Sequence, residues 1–177
     1  MRARVIAAML VAAAGLSAGD MRLLDAVKRR DRKAVESLAA DRASVNTAQP
    51  DGATPLSWAA HLDDAAMADV LIAAGADVNR ADEYGETPLT LACANGDAVL
   101  VGKLLKAGAN AAAARWNGET ALMIAAAAGS AESVKLLASH GAKVSAAEQR
   151  KGQTALMWAA AEGHPDVVQA LIGLAPM

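Results

Sequence analysis

Chemistry needs side chains that can bind a metal, attack a carbon or move a proton, and this 177-residue chain offers few of them. Its three histidines, His61, His140 and His164, are scattered, and no spacing of Cys, His and Asp forms a metal-site motif. Cys93 is the only cysteine, which rules out an intramolecular disulfide. It sits inside an apolar, helix-forming run, where a small thiol fills space. Asp63-Asp64 looks like a carboxylate pair. It falls, however, at the break between two apolar segments, where an acidic side chain caps a helix and meets the positive end of its dipole. Phosphate-binding glycine loops, nucleophile elbows and zinc helices have no match in the chain. The residues therefore predict no catalytic centre, no metal and no cofactor.

The elements that position these residues are short. The clearest unit is Asp82 to Asn110, DEYGETPLTLACANGDAVLVGKLLKAGAN. Its turn, Asp82-Glu83-Tyr84-Gly85, leads into Thr87-Pro88-Leu89, where Thr87 caps a helix and Pro88 suits its first turn. One helix is predicted over Leu89 to Ala94, a break at Asn95-Gly96, and a second helix from about Ala98 to Lys106, stopped by Gly108. Neither is long enough to be stable alone in water.

Neighbouring copies supply the missing support. Thr54, Thr87, Thr120 and Thr154 open successive copies at spacings of 33, 33 and 34 residues, and Gly75, Gly108 and Gly141 close three of them. A fixed period of this size marks a stacked array. The copies TPLSWAAHLDD…VLIAAGADVN, TPLTLACANGD…KLLKAGAN, TALMIAAAAGS…KLLASHGAKV and TALMWAAAEGHPDVVQALI resemble the ankyrin repeat. The resemblance covers about Leu23 to the C-terminus. It implies an all-α repeat solenoid of stacked helix-turn-helix units joined by β-hairpin-like loops, with repeats at about 19–48, 49–81, 82–114, 115–148 and 149–177. Two departures bear on local stability. Ser57, Thr90, Met123 and Met157 replace the family's histidine, removing the hydrogen bond it makes to the turn, and Ala121 and Ala155 replace proline. Trp58 and Trp158 share one repeat position with Leu91 and Ile124 and read as core. Tyr84 and Trp116 fall at hairpin tips, where packing does not call for an aromatic.

Flanking segments read differently. Arg2 and Arg4 precede an apolar run of 12 residues, Val5 to Leu16, and Leu16-Ser17-Ala18 ends it in small residues. This is the pattern of a secretory signal peptide over 1–18, cleaved after Ala18 or else after Ala14, and it is too short for a membrane span. Gly19 stands where a lipoprotein would carry cysteine. The mature chain keeps 15 basic against 19 acidic residues and is expected to be periplasmic or secreted, and monomeric. No basic field is present to hold nucleic acid. Leu23 to Asn46 reads as a disguised first repeat whose charged residues, Lys28 to Lys33 and Glu36, suit a solvent-facing cap or, alternatively, an acidic partner. The extra residue before the last copy is expected within Lys143 to Gln149. At the other end Leu171 and Leu174 are expected to be exposed, or else covered by further repeats of a longer array.

The resemblance also implies a function. Ankyrin arrays bind proteins on the concave surface made by hairpin tips and first helices. Carried onto this sequence, that surface comprises Asp51 and His61; Glu83, Tyr84, Glu86 and Asn95; Trp116, Asn117 and Glu119; and Arg150, Lys151 and Glu162, with Pro50, Ala53, Leu62, Ala94, Ala127, Ala128 and Gln153 beside them. The strip is acidic and aromatic in its middle and basic at its last hairpin, so the expected partner is a protein with a basic and apolar patch. Alternatives within the resemblance are a regulatory or targeting array of a longer protein, or a periplasmic accessory factor in peroxide-stress protection.

Overall fold

The computed structural model describes residues 20–42 and 44–174; the expected signal peptide lies outside them. Its helices come in pairs: α1 (Asp20–Lys28) and α2 (Arg32–Leu38), α3 (Pro55–His61) and α4 (Ala65–Ala73), α5 (Pro88–Asn95) and α6 (Ala98–Lys106), α7 (Ala121–Ala127) and α8 (Ala131–Ser139), α9 (Ala155–Ala161) and α10 (Pro165–Leu174). First helices pack in one row, α1 on α3 on α5 on α7 on α9. Second helices pack in another, α2 through α10, and every pair joins the two rows. No strand forms among the described residues; isolated bridges Ala114–Thr120 and Ala147–Thr154 mark two of the hairpins. The result is an all-α repeat solenoid.

Short polar side chains start helices α2 to α9. Thr54 and Thr87 Oγ1 accept the backbone N–H groups of Ser57 and Thr90, each at 3.2 Å. The hydroxyls of Ser57 and Thr90 accept in return from the N–H groups of Thr54 and Thr87 at 2.7 and 2.8 Å. These reciprocal caps restore at the turn the bonding that loss of the family's histidine was expected to remove. Asp31, Asp64, Asp97 and Ser130 cap the second helices α2, α4, α6 and α8. The rows close over Leu56, Leu89 and Leu122 from first helices, and over Leu71, Leu104, Leu137 and Leu171 from second helices, all fully buried. Leu171 is thus core and not the exposed residue expected. The exposed apolar residues of the last pair are instead Leu156, Met157, Ile172 and Leu174. Leu156 is 38% exposed although Leu56, Leu89 and Leu122, at the same place in earlier copies, are buried against the following pair.

Hairpin tips stack directly. A Cβ on Gly85 (φ +79) would stand 2.9 Å from the Trp116 nitrogen, and one on Gly52 (φ +90) 2.8 Å from the Asp82 Cα. Glycine is required there twice over, for its left-handed backbone and for the missing Cβ. The 33-residue register runs through Ala114 and Ala147 before breaking, so the extra residue lies within the last tip, between Glu148 and Thr154. That corrects its expected place in 143–149. A solvent-facing tip accommodates an extra residue without shifting any helix.

Gly85→Ala and Gly152→Ala separate the two demands on tip glycines. Both residues have positive φ, but only Gly85 has a neighbour in the way. Chemical denaturation should show a loss of about 1–2 kcal/mol for Gly152→Ala, from backbone strain alone. The loss for Gly85→Ala should exceed it by about 1–3 kcal/mol, the usual range for overpacking.

Candidate functional site

Backbone hydrogen bonds tie the second, third and fourth repeats' tips into one column. Glu83 N–H donates to Asp51 O at 2.9 Å, and Trp116 N–H to Tyr84 O at 3.1 Å. Each tip is also held from within. Asp51 Oδ1 accepts from Ala53 N–H, Asp82 Oδ1 from Tyr84 and Glu86 N–H, and Asn117 Oδ1 from Glu119 N–H. The last tip has one residue more, and a side chain one methylene longer serves it. Glu148 accepts from the N–H groups of Arg150, Lys151 and Gln153. Burial would raise the Glu148 carboxyl, but these three donors and the nearby Arg150 hold it below the usual carboxylate range.

The column brings Asp51, Glu83, Tyr84 and Trp116 together on the surface. Tyr84 is 55% and Trp116 73% exposed, at adjacent tips. The Glu83 carboxylate, first by hydrogen bonding and then by its charge, raises the Tyr84 hydroxyl above its ordinary value; Asp51 and Asp82 add to that field. Arg150 and Lys151 are exposed on the last tip. Between the first-helix row and the tips lie two hollows. One, of about 190 Å³, is lined by Asp51, Trp58, His61, Asp82 and Leu91 among others. The second, of about 330 Å³, is lined by Ala94, Arg115, Ala127, Ala128, Trp158 and Glu162 together with Ile124. Both tryptophans expected in the core therefore wall the groove, with Trp58 half-buried and its indole N–H donated to Gln49 Oε1 at 2.7 Å.

Three of the expected contact residues are engaged inside the stack. Arg115 reaches Glu86 at 2.7 Å and Glu119 at 2.9 Å, clamping the third repeat's turn to the fourth. Glu86 Oε2 also accepts from Thr90 Oγ1 at 2.8 Å. Arg115 offsets one of these two negative charges and holds both carboxylates inside the stack, so the acidic groups outside any ion pair among the described residues of these tips are Asp51, Asp82 and Glu83. Asn95 Nδ2 donates to Ala60 O at 2.9 Å, satisfying a carbonyl at the end of the preceding first helix. His164 immediately precedes α10, and its ring lies against Gly129 with Nε2 3.0 Å from Ala127 O.

The remaining reactive groups are placed as follows. Cys93 is buried, and burial pushes its thiol up to about 12, so it carries no thiolate at neutral pH. Asp64 caps α4. Asp63 is left-handed (φ +57) and pairs with Asp97 of the next repeat, not with Asp64. Burial first, then that neighbouring carboxyl, raises the Asp63 carboxyl, while Arg30 opposes the rise. Among the described residues no three of His, Cys, Asp and Glu converge as metal ligands, and no helix is long and apolar enough to cross a membrane.

The sequence profile for ankyrin repeats, three copies, matches the chain twice, over residues 23–113 and 99–176. No curated protein matches it.

Two measurements test the internal assignments. Arg115→Met leaves Glu86 and Glu119 facing each other and should cost about 2 kcal/mol by denaturation, less than for a fully enclosed pair because the side chain is 27% exposed. Adding Glu86→Gln and Glu119→Gln should recover most of that loss. For Glu148 the folded pKa is depressed, so its stabilisation is present above the unfolded pKa and lost as pH falls through the folded one. The melting-temperature gap between wild type and Glu148→Gln should therefore be full above the ordinary glutamate value of about 4.3 and close as pH falls below it through the lower folded one.

Proposed function

The chain belongs to the ankyrin repeat family, and from that premise we propose that it is a non-catalytic module that binds a protein through the tip column and the groove beside it. Ankyrin repeats generally serve as protein–protein interaction modules. One observation carries the reading here: Tyr84 and Trp116 stand exposed side by side on backbones locked together by the Trp116–Tyr84 hydrogen bond. The stack needs neither ring for its own packing. Large aromatics held on a rigid support lose little conformational freedom on binding and commonly anchor interfaces.

Charge narrows the partner. Asp51, Asp82 and Glu83 lie around Tyr84 and enter no ion pair among the described residues, whereas Arg150 and Lys151 lie at the far end of the column. A partner presenting basic residues toward the second and third tips and an apolar patch toward Trp116 complements this surface. We place the protein in the periplasm or outside the cell on the strength of the leader pattern at 1–18. N-terminal sequencing of the exported product should begin at Gly19.

Capture from the periplasmic fraction, followed by titration of the captured protein, tests the surface. Trp116→Ala should weaken that affinity by about 2 kcal/mol or more, and Tyr84→Ala with Trp116→Ala should abolish capture. A partner held equally by wild type and the double variant removes the tip column from the interface.

A further inference from the structure

Trp58 is not packed as a plain core residue. One face of its ring carries Lys28, whose Nζ lies 4.2 Å from the ring centroid, and His61 meets it edge-on at 5.5 Å. Beside the ring opens the hollow of about 190 Å³, with Asp51 and Asp82 on its rim and Leu91 on its wall. Its size is below the roughly 300 Å³ from which small-molecule sites begin and suits one inserted side chain. Each rim carboxylate gives Oδ1 to its own turn. Neither is in an ion pair among the described residues, and both lie on the tip side of an aromatic wall.

A negative rim over an indole is the arrangement that attracts an alkyl cation. The ring's quadrupole and the carboxylates act in the same direction, and the apolar wall accepts the alkyl stem. The molecule already shows the ring's affinity for a cation by holding Lys28 against one of its faces, outside the lining of the hollow. We propose that this hollow is a subsite for a cationic side chain, arginine or lysine, of a bound protein, with Lys28 as an internal stand-in on the ring. The proposal rests on the protein-binding reading above and assigns the partner's basic residue its place. Lys28 also adds a like charge beside the incoming cation, so it holds affinity down. Its removal frees the ring and deepens the local negative potential.

The test uses the full chain and single-residue probes, so no partner is needed. N-acetyl-arginine amide and N-acetyl-lysine amide are titrated while the Trp58 indole N–H is followed by NMR, identified by its loss in Trp58→Phe. Neutral N-acetyl-citrulline amide is the control. Both cationic amides should shift the Trp58 signal saturably, and citrulline should not. Asp51→Asn and Asp82→Asn keep an Oδ1 acceptor for each turn, so the fold persists; each should weaken binding at least threefold, while Lys28→Met should tighten it at least threefold. Equal shifts with citrulline, or affinities unmoved by both Asn substitutions, overturn the subsite. Unchanged or weaker binding in Lys28→Met overturns the stand-in role. A failed titration with capture still dependent on Tyr84 and Trp116 removes only this subsite; saturable cation binding without such capture removes the tip aromatics and leaves it standing.

Discussion

Helices of 7 to 10 residues cannot hold themselves together in water, and every other feature of this molecule answers to that constraint. An isolated pair would expose leucines on both sides, so its apolar faces are satisfied only by pairs above and below. Leu71, Leu104, Leu137 and Leu171 recur at one repeat position because each fills the same interface. The close spacing that buries them also presses one tip's backbone onto the next. The missing Cβ at Gly52 and Gly85 answers to that stacking, whereas the positive φ, which Gly152 shares with nothing in the way, answers to the turn itself.

Regular stacking leaves helix-end carbonyls at each junction, and side chains from neighbouring repeats close them. Arg30 donates to Leu62 O at 2.6 Å, Asn95 to Ala60 O, and His164 sits against Ala127 O. Asn46 and Asn79 do the same between loops, each donating to the next repeat's closing glycine carbonyl and accepting a backbone N–H two residues beyond it. Polar residues that look free in the repeat pattern are thereby divided. Some staple the stack, and the surface left to a partner is what remains: Asp51, Asp82, Glu83, Tyr84 and Trp116.

Much of this was legible from residue types and spacing. Threonine followed by proline or alanine at a 33-residue period locates each first helix, and glycine locates its turns, because these residues act through local backbone geometry. Leu171 was misjudged although the repeat register, which aligns it with Leu71, Leu104 and Leu137, marked it as core; its burial comes from the preceding pair and needs no following one. The position of the extra residue was hidden, since only the bridge Ala147–Thr154 reveals where the register breaks. Arg115 carried one signal that went unused: it occupies the tip position of Asp82, where a cation cannot accept the turn's N–H groups. Its clamp on Glu86 depends on a distance between repeats that no local pattern contains.

By itself the sequence determined the helix pairs, their caps and their period, and hence the solenoid, because those follow from interactions within a few residues repeated in register. It also determined that aromatics stand at two tips. Only the tertiary structure decided which charges are free to recruit a partner. Glu86 and Glu119 are tied down by one arginine that offsets half their charge, while Asp51 and Asp82 stand outside any such ion pair beside Trp58. The physical reason is that ion pairing depends on separations of a few ångströms between side chains in different repeats or on opposite sides of a turn, and stacking alone sets those separations.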